Sequence, residues 1–435
     1  MLKFLFGSGI MKACVINLGC KVNAYEAEYI KEKFTESGYS IVNLHDNPEV
    51  IVITTCTVTN QADSKSRKMI RLARKTNPNA VLVVCGCSSE NHKENIVDID
   101  IDILLGNYNK SKIVEYAETY KKDKSKIIKF EDMNKVPFED MKINNFTNKT
   151  RAFVKIQDGC NNFCSYCIIP YMRGNIRSKC IYKAIKEVKE LVDNGYQEIV
   201  LTGIHTGSYG TGLDYDLTDL IHEISKLDKL KRIRISSIEI TELNDKFLIE
   251  LKNNNKICDH LHIPIQSGSD KILKLMNRKY NIEEYKNIIN KIRNIRPDIN
   301  ITTDLIVGFP TETEEDFNET LKSIKQIGFS KIHTFPYSIR NNTEASLMKQ
   351  VNDIVKKTRV NKVLELSDIL ENKYYNKFKE KTLSVLIEEV KEDYVVGHTD
   401  NYIKVKIDKK LDNNKFYNIK IKDIVKTNVK GIYES

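Results

Sequence analysis

Residues 151–170 read RAFVKIQDGCNNFCSYCIIP and join a strand-like run to a cysteine-rich loop. The loop carries Cys160, Cys164 and Cys167 in the spacing C-x3-C-x2-C. Three thiolates on one tight loop cannot complete a four-ligand zinc site. They can hold three irons of a four-iron cluster and leave the fourth iron open for a substrate. Zinc binding or a structural role for these cysteines is the alternative interpretation.

This loop follows the first of six strand-like runs between Arg151 and Arg340, and each run except the last precedes a helical stretch. The runs are RAFVKIQDG, EIVLTGIH, RIRISSIE, HLHIPIQS, ITTDLIVGFP and KIHTFPYS. Six repeats of strand then helix predict a partial parallel (β/α)6 barrel, in which the chemistry gathers at the C-terminal strand ends. Candidate cofactor contacts at those ends are Gly203, His205, Ser237, Gln266 and Gly308.

Several side chains near these strand ends have two interpretations. His205 and His262 are either contacts to a cofactor or substrate, or histidines whose hydrogen bonds are satisfied within the fold. Arg173 and Arg177 either meet a cofactor, a substrate or an RNA phosphate, or belong to the charged surface. The motif GFPTET at 308–313 combines a glycine that permits close backbone approach with acidic residues suited to a helix N-terminus.

Residues 11–120 alternate short apolar runs with amphipathic segments. KACVINLGC, EVIVITTC, AVLVVCGC and IDILLGN are strand-like, and helices are expected over Ala24–Ser37 and Gln61–Lys75. This alternation predicts an N-terminal parallel α/β sheet.

Three further cysteines stand at the predicted strand ends of this sheet: Cys20, Cys56 and Cys87. Because the C-terminal strand ends of a parallel α/β sheet form one crevice, these thiols are expected to meet there and to hold a second cluster. Taken alone, scattered cysteines are more often buried small hydrophobes. Cys85 lies two residues before Cys87, and the sequence leaves open whether it contributes. The remaining cysteines are interpreted as structural: Cys14, Cys180 and Cys258.

The C-terminal part of the chain predicts a small antiparallel β-barrel after a long polar helix from Asn352 to about Lys379. Its strand-like runs are VLIEEV, YVVGHT, YIKVKI and YNIKIK. Alternation turns one set of side chains inward, namely Ile403, Val405, Ile407, Ile419 and Ile421. The outward set is Lys404, Lys406, Lys420 and Lys422. These lysines either track an RNA backbone or form an ordinary solvated face.

Composition narrows the classes of protein that fit this chain. Lys and Arg number 69 against 59 Asp and Glu, and the net charge of +10 fits a polyanionic partner such as RNA, with compositional drift as the alternative. Ten cysteines without an export signal indicate metal or redox chemistry rather than disulfides. No apolar stretch reaches the roughly 18 residues that span a membrane. We therefore expect a cytoplasmic protein without a membrane partner, with Met11 as its functional start.

The combination of parts resembles the methylthiotransferases, radical SAM (S-adenosylmethionine) enzymes that install a methylthio group, over essentially the whole length from Met11. Tyr166, before the last cysteine, also fits the radical SAM pattern. The motifs most like the branch that acts on threonylcarbamoyladenosine beside the tRNA anticodon are LGCKVNAYE, CTVTNQADSKSR, KIQDGCNNFCSYCIIP, LTGIHTGSYG, RIRISSIE, HLHIPIQSGSD and DLIVGFPTETEEDF. The lysine and valine of LGCKVN carry most of this distinction. The isopentenyladenosine branch usually shows a glutamine and a methionine there, and the ribosomal-protein branch a proline and a lysine.

The resemblance implies two [4Fe-4S] clusters and SAM. Cys160, Cys164 and Cys167 would hold the cluster that binds SAM, in a pocket formed with the five strand-end residues named above. Cys20, Cys56 and Cys87 would hold an auxiliary cluster that carries a sulfur species. One SAM would methylate that sulfur, and a second would yield the radical that removes hydrogen from carbon 2 of the adenine at tRNA position 37. No side-chain acid or base is required for that step.

The resemblance also implies domains and partners. The domains are an N-terminal methylthiotransferase domain (11–120), a radical SAM domain (150–375) and a TRAM RNA-binding domain (376–435). The segment 121–149 is polar and weakly periodic, which predicts a linker. The partners are a tRNA anticodon loop, an electron donor such as flavodoxin or ferredoxin, and a sulfur source. The alternatives are methylthiolation of isopentenyladenosine or of a ribosomal-protein aspartate, and a non-catalytic iron–sulfur protein that binds RNA or senses redox state.

The chain departs from the family pattern at three places. Thr54 stands where asparagine is common before the Thr-Cys pair, and Asn342 replaces the usual glycine in YSIRNNTEA. Residues 1–10 have no counterpart. None of these departures removes a predicted cluster ligand.

Overall fold

The computed structural model describes residues 11–92, 100–146 and 150–434. Residues 1–10, which are expected to precede the functional start at Met11, lie outside the described residues. The chain forms two compact units. The first unit comprises residues 1–147, 158–161 and 168–177, and the second comprises residues 148–157, 162–167 and 178–435. No helix of the described part of the chain has the length and apolar character needed to cross a bilayer.

The first unit is built on a six-stranded parallel sheet with the hydrogen-bonded order β2-β1-β3-β4-β5-β6. Its strands are β1 (Lys12–Asn17), β2 (Ser40–Ile41), β3 (Val50–Thr55), β4 (Val81–Gly86), β5 (Ile103–Leu105) and β6 (Ile127–Lys129). Its helices are α1 (Lys21–Glu36), α2 (Asn60–Thr76), α3 (Cys87–Asn91), α4 (Ile113–Asp123) and α5 (Ile169–Arg173). The central strands β3 and β4 are buried along their whole length, as parallel strands covered on both faces require. The predicted N-terminal parallel α/β sheet is confirmed.

The structure differs from the sequence prediction at the edges of this sheet. The segment 121–149, predicted as a linker, contains β6, which pairs with β5. That strand is short, lies in polar surroundings and leaves Ile128 46% exposed, so it lacks the apolar alternation that would reveal it. Helix α1 begins at Lys21 rather than Ala24, which makes Cys20 its N-cap residue.

The second unit contains six parallel strands in two hydrogen-bonded sets, β11-β10-β7 and β12-β13-β14. These strands are β7 (Arg151–Lys155), β10 (Glu198–Thr202), β11 (Arg232–Ile235), β12 (His260–His262), β13 (Asn300–Val307) and β14 (Lys331–Pro336). The strands β8 (Gln157–Asp158) and β9 (Arg177–Ser178) have two residues each, of which one belongs to each unit. A bond from the Ile238 amide to the His262 carbonyl, at 3.0 Å, continues the pairing from β11 to β12. The predicted partial barrel of six strands is therefore confirmed.

The helices between and after these strands begin and end at the residues that the sequence favours. They are α6 (Ile181–Asp193), α7 (Leu217–Ser225), α8 (Asp245–Asn253), α9 (Asp270–Leu275), α10 (Ile282–Ile295), α11 (Glu314–Ile327) and α12 (Asp353–Asn376). Helix α11 shows the pattern clearly. Thr313 and Asp316 form a reciprocal capping box at its start, and Gly328 ends it with a φ of 68°, a left-handed conformation that suits glycine.

The C-terminal strands close into a barrel of order β15-β16-β17-β19-β18. They are β15 (Thr382–Val390), β16 (Val395–Thr399), β17 (Lys404–Ile407), β18 (Phe416–Val425) and β19 (Asn428–Ile432). The five side chains predicted to face inward are all buried: Ile403, Val405, Ile407, Ile419 and Ile421. The predicted small barrel is confirmed. Its fifth strand, β19, was not predicted, and it pairs with β17 in parallel rather than antiparallel fashion.

Within the second unit, the C-terminal barrel contacts the N-terminal ends of β7, β11 and β13. Arg151, Arg232 and Asn300 are the first residues of β7, β11 and β13. Arg151 forms an ion pair with Glu388 at 3.0 Å, and Arg232 donates to the His398 carbonyl at 3.1 Å. The C-terminal barrel therefore lies at the opposite strand ends from those that carry the candidate cofactor contacts.

Candidate functional site

In the first unit, three cysteines follow the C-terminal ends of neighbouring strands. Cys20 lies after β1 at the N-cap of α1, Cys56 comes directly after β3, and Cys87 is the first residue of α3 after β4. The strand order reverses at β1, and such a switch point creates a crevice outside the carboxyl ends of a parallel sheet. The fold thus brings together the three cysteines that the sequence singled out.

The three thiols influence each other electrostatically. Burial raises the pKa of the Cys56 thiol to about 11, and the neighbouring Cys87 and Cys20 add to this rise. Cys20 is exposed, and the Arg173 guanidinium acts on the pKa of its thiol in the direction that favours the thiolate. Three thiols that follow neighbouring strands, with a buried guanidinium 3.3 Å from one of them, form a donor set suited to an anionic metal cluster.

Asp63 on α2 forms hydrogen bonds to the two segments that carry Cys56 and Cys87. It accepts hydrogen bonds from Thr57, next to Cys56, at 3.0 Å and from Ser88, next to Cys87, at 2.8 Å. Asp63 is only 3% exposed, so both bonds lie away from bulk water. A buried carboxylate with two donors holds the two loops in register more firmly than packing alone would.

Arg173 at the end of α5 is fully buried and contacts one thiol and two carboxylates. Its Nε lies 3.3 Å from Cys87 Sγ, and its Nη1 donates to Asp158 at 2.9 Å and to Glu26 at 3.3 Å. Glu26 also pairs with the buried Lys110 at 2.6 Å. The surface-charge interpretation is therefore wrong for Arg173. The network could not be read from the sequence, because Glu26 and Lys110 lie far along the chain from Arg173.

Cys85 and Thr54 occupy interior positions in adjacent strands of the same sheet. Cys85 lies within β4 and is fully buried, and burial raises the pKa of its thiol to about 12. Thr54, one of the departures from the family pattern, donates from Oγ1 to Asn17 Oδ1 at 2.9 Å. The same Asn17 oxygen accepts from the Gly19 amide at 3.0 Å, so Thr54 supports the turn that leads into Cys20.

The cysteine loop at 160–167 has its first cysteine in the first unit. The Cys160 amide donates to the Gly174 carbonyl at 3.1 Å. Gly159, directly before it, has a φ of 76°, and a Cβ there would lie 2.0 Å from the Asn175 carbonyl oxygen. Only glycine fits this position, which fixes the backbone at the start of the loop.

The other two cysteines of that loop belong to the second unit. The Cys167 amide donates to the Cys164 carbonyl at 2.9 Å, and the Ser165 hydroxyl donates to the Leu275 carbonyl at 2.7 Å. Arg278 approaches Cys164 Sγ with Nη1 at 3.5 Å and forms a short ion pair with Glu239. The C-terminal end of α9 thus holds the loop, and Arg278, just after this helix, supplies a cation to a thiol.

The five strand-end residues predicted as cofactor contacts follow β10, β11, β12 and β13. Gly203 packs so tightly that a Cβ would lie 2.8 Å from Gln157 Oε1. Ser237 is half-buried after β11, and Gln266 adopts a φ of 62° after β12. Gly308 has a φ of 66°, and its amide donates to Glu312 at 3.0 Å. These residues share the C-terminal side of the six parallel strands.

Both predicted histidines have protein partners. His205 contacts Ser208 through Nδ1 at 2.6 Å and Glu242 through Nε2 at 2.8 Å. His262 contacts Thr302 through Nδ1 at 2.9 Å. The sequence did not single out Glu242, because a carboxylate on a turn carries no pattern that distinguishes it from a surface residue.

No three His, Cys, Asp or Glu side chains within residues 11–92, 100–146 and 150–434 converge on a point that a single metal ion would occupy. A four-iron cluster requires no such convergence, because each thiolate binds a different iron.

Comparison with known proteins matches both parts of the chain that carry cysteines. Residues 12–106 match the family described as Uncharacterized protein family UPF0004, and residues 154–324 match the Radical SAM superfamily. Threonylcarbamoyladenosine tRNA methylthiotransferase MtaB of Bacillus subtilis (strain 168) is 44% identical over 398 residues, which cover 89% of this chain and 88% of that protein. The chain belongs to the radical SAM methylthiotransferase family.

Two further members of this family illustrate its range. The protein named Threonylcarbamoyladenosine tRNA methylthiotransferase MtaB in Aquifex aeolicus (strain VF5) is 38% identical, over 91% of this chain and 96% of its own length. The protein named tRNA-2-methylthio-N(6)-dimethylallyladenosine synthase in Clostridium tetani (strain Massachusetts / E88) is 35% identical, over 95% of this chain and 94% of its own. The predicted membership of the methylthiotransferases is thus confirmed.

Among solved structures, the radical S-adenosylmethionine methyltransferase TsrM from Kitasatospora setae, with cobalamin and a [4Fe-4S] cluster bound, superposes with a TM-score of 0.56. The identity is 13%, and the match covers 77% of each chain. At this identity the similarity supports the fold, which is a mixed α/β architecture of the radical SAM type.

Family membership implies SAM and a [4Fe-4S] cluster in this enzyme. The loop at 160–167 fits such a cluster, since it offers three thiols within eight residues and a buried arginine beside Cys164. The departure at Asn342 also has a structural explanation. Its φ is 68°, in the left-handed region where asparagine is tolerated better than other residues that carry a Cβ.

Proposed function

We propose that this methylthiotransferase transfers a methylthio group to carbon 2 of N6-threonylcarbamoyladenosine at tRNA position 37, giving 2-methylthio-N6-threonylcarbamoyladenosine. The observation that carries this proposal is the 44% identity to the Bacillus subtilis protein of that name, across 88% of that protein's length. The relative named for dimethylallyladenosine reaches 35%. The LGCKVN motif at Cys20 supports the same branch.

In this proposal Cys160, Cys164 and Cys167 hold the [4Fe-4S] cluster that binds SAM. The bound cofactors supply the one-electron chemistry that removes hydrogen from the substrate carbon. The protein orients the ligands. Ser165 anchors the loop to the C-terminal end of α9, and Arg278 offsets negative charge at Cys164.

We also propose that Cys20, Cys56 and Cys87 hold an auxiliary [4Fe-4S] cluster. Their common position after neighbouring parallel strands and the mutual influence of their thiols support this assignment. Arg173 would position Cys87 and offset the charge of its thiolate, while Asp158 and Glu26 keep the guanidinium in place. Cys85, inside β4, is left outside the proposed ligand set.

Gly203, His205, Ser237, Gln266 and Gly308 are proposed to line the SAM pocket. Their shared location at the C-terminal strand ends supports this, because such ends carry the active sites of parallel β/α barrels. A Cβ at Gly203 or Gly308 would lie too close to neighbouring atoms. These two glycines would therefore contribute to the shape of the pocket rather than make side-chain contacts to SAM.

The domain limits of 11–120, 121–149, 150–375 and 376–435, the last an RNA-binding TRAM domain, stay proposals. So do the tRNA anticodon loop as partner, an electron donor such as flavodoxin or ferredoxin, and a separate sulfur source. A cytoplasmic location follows from the proposed tRNA substrate.

The deciding experiment expresses the chain anaerobically in a host that lacks its own enzyme and measures tRNA nucleosides by mass spectrometry. We expect a methylthio product confined to threonylcarbamoyladenosine. The matched control is a Cys164→Ala chain expressed in the same host, which should yield none. A product on isopentenyladenosine would move the chain to the other branch. Absence of any tRNA product, together with intact SAM cleavage, would contradict the proposal and indicate a protein acceptor.

A further inference from the structure

Helix α2 carries a stripe of exposed basic side chains. Lys65, Lys68, Arg71 and Lys75 are all exposed. At about 100° per residue they fall within an arc of about 120°. The buried face of the helix, which includes Ile70, lies on the opposite side. The stripe extends over about 15 Å, since each helical residue rises about 1.5 Å.

Among the residues that the structure describes, these four side chains have no anionic partner. No ion pair or hydrogen bond within the described part of the chain engages any of them. Arg74, on the same helix, shows the contrast, because it is bound to Asp102 at 2.7 Å. The only acidic residue of α2, Asp63, is buried and already accepts from the loops at Cys56 and Cys87.

Three of the four outward lysines predicted for the C-terminal barrel are arranged differently, whereas Lys404 is exposed. Lys406 pairs with Asp408 at 3.3 Å, and Lys422 pairs with Glu380 at 2.9 Å. Lys420 also approaches Glu380, at 3.7 Å. Exposed pairs of this kind are weak, but a phosphate must still compete with the carboxylate at each one.

Helix α2 is also fixed to one of the proposed cluster ligands. The Ser66 hydroxyl, one residue from Lys65, lies 3.4 Å from both the amide and the carbonyl of Cys56. The Thr59 side chain caps the helix by accepting from the Ala62 amide at 3.2 Å. The basic stripe therefore begins within one helical turn of the anchor that holds the Cys56 loop.

We propose that the exposed face of α2 formed by Lys65, Lys68, Arg71 and Lys75 binds the phosphate backbone of the substrate RNA and positions the target nucleoside near the cysteine crevice. The proposal rests on the proposed tRNA methylthiotransferase function. An extended row of exposed cations, which have no ion-pair partner among the described residues, complements a polyanionic strand, and binding releases condensed counterions. An acidic electron-transfer protein is the competing occupant that the experiment must separate from RNA.

The test uses anaerobically purified holoprotein and a fluorescent unmodified tRNA, with dissociation constants measured by anisotropy at several KCl concentrations. The variant replaces Lys65, Lys68 and Arg71 with Gln, which keeps helix propensity nearly unchanged. We expect the dissociation constant to rise about tenfold or more. The slope of log affinity against log salt should fall in magnitude by about two to three units, because three phosphate contacts are lost.

The matched control removes the same charge elsewhere. Lys252 on α8 and Lys322 and Lys325 on α11 are exposed lysines of the second unit. Their triple change to Gln should leave affinity and salt slope close to those of the wild type. Iron content and RNA-independent SAM cleavage should match the wild type in both variants, which shows that each variant folds and loads its cofactors.

Two results would overturn the proposal. One is an α2 variant with wild-type RNA affinity and salt slope. The other is a variant that slows reduction by flavodoxin while RNA binding stays intact, which would assign the stripe to an electron donor. Failure of the proposed function gives a different result from failure of this inference. The methylthio product would be absent, while the α2 variant would still bind RNA more weakly than the wild type.

Discussion

The two cysteine regions of this enzyme are held in place by different means. Cys164 and Cys167 lie on one loop, where a turn and the bonds of Ser165 to the C-terminal end of α9 fix the backbone. Cys20, Cys56 and Cys87 come from three separate segments, and the order of strands in a parallel sheet brings them to one edge. One region depends on local sequence, and the other depends on topology.

Each region also contains a buried arginine beside a thiol, but the surroundings of the two arginines differ. Arg278 pairs with one carboxylate, Glu239, whereas Arg173 contacts two, Asp158 and Glu26. A site assembled from remote segments thus relies on a larger network of buried charges. Such a network is costly to disrupt, because each removed partner leaves an uncompensated charge away from water.

The largest effect is expected at the loop-based region. Cys164→Ala should abolish reductive SAM cleavage, because the cluster loses one of three ligands on a loop that has no replacement thiol. The measurement is formation of 5'-deoxyadenosine under a strong chemical reductant. Cys180→Ala, which changes an exposed cysteine outside both proposed ligand sets, is the control and should retain cleavage. Normal cleavage by Cys164→Ala would refute its role as a ligand.

A substitution in the topology-based region should separate SAM cleavage from methylthio transfer. Cys56→Ala is expected to end methylthio transfer while at least part of the SAM cleavage remains, because the other cluster keeps its ligands. Iron analysis should show a loss of about four irons per chain. Full methylthiolation by this variant would show that Cys56 does not hold an auxiliary cluster.

The two buried arginines provide a direct comparison of the supporting networks. Arg173→Met should destabilise the cofactor-free protein by about 3–5 kcal/mol, since it leaves buried carboxylates without their cation. Arg278→Met should cost less, about 1–3 kcal/mol, because Glu239 retains contact with water. Thermal unfolding of the cofactor-free variants, side by side, measures both.

The reverse order of these two losses would contradict the idea that the topology-based region needs the larger charge network. The electron paramagnetic resonance spectra of the reduced holoproteins give a second readout. Arg173→Met should change the signal that Cys56→Ala removes, and Arg278→Met should change the one that Cys164→Ala removes.

A buried charge at the N-terminal end of β10 should affect stability alone. Burial by itself raises the pKa of the Glu198 carboxyl, but Arg234 and Arg232 outweigh it and hold the pKa below its usual range. The ionised group therefore stabilises the fold above its ordinary pKa, and this contribution is lost as the pH falls through the lower folded value. Glu198→Gln should cost about 3 kcal/mol at pH 7, with a gap to the wild type that narrows below about pH 4.

Thermal unfolding between pH 7 and acid conditions measures that gap. Both clusters should load normally in Glu198→Gln, because Glu198 is the first residue of β10 and pairs with Arg232 and Arg234. These arginines bind the C-terminal barrel. A gap that stays constant with pH would show that ionisation of Glu198 does not stabilise the fold.

The fold was largely predictable because its signals are periodic. Six apolar runs, each followed by an amphipathic stretch except the last, predicted six parallel strands, and all six are present. Strands β6 and β19 were missed since each is short and shows little apolar alternation. Strand β19 includes Gly431, where a Cβ would lie 2.3 Å from a methyl group of Ile419, so close packing rather than hydrophobic pattern determines that residue.

By itself, the sequence determined the cysteine spacing, the strand and helix repeat and the family. These depend on residues near one another along the chain, where spacing and periodicity report structure directly. Only the tertiary structure decided which charges surround the thiols, where the C-terminal barrel packs and which lysines lack partners. Folding brings Arg173 to Glu26 and Arg278 to Glu239. The sequence alone does not distinguish a buried charged residue from an exposed one, because burial depends on contacts between distant segments.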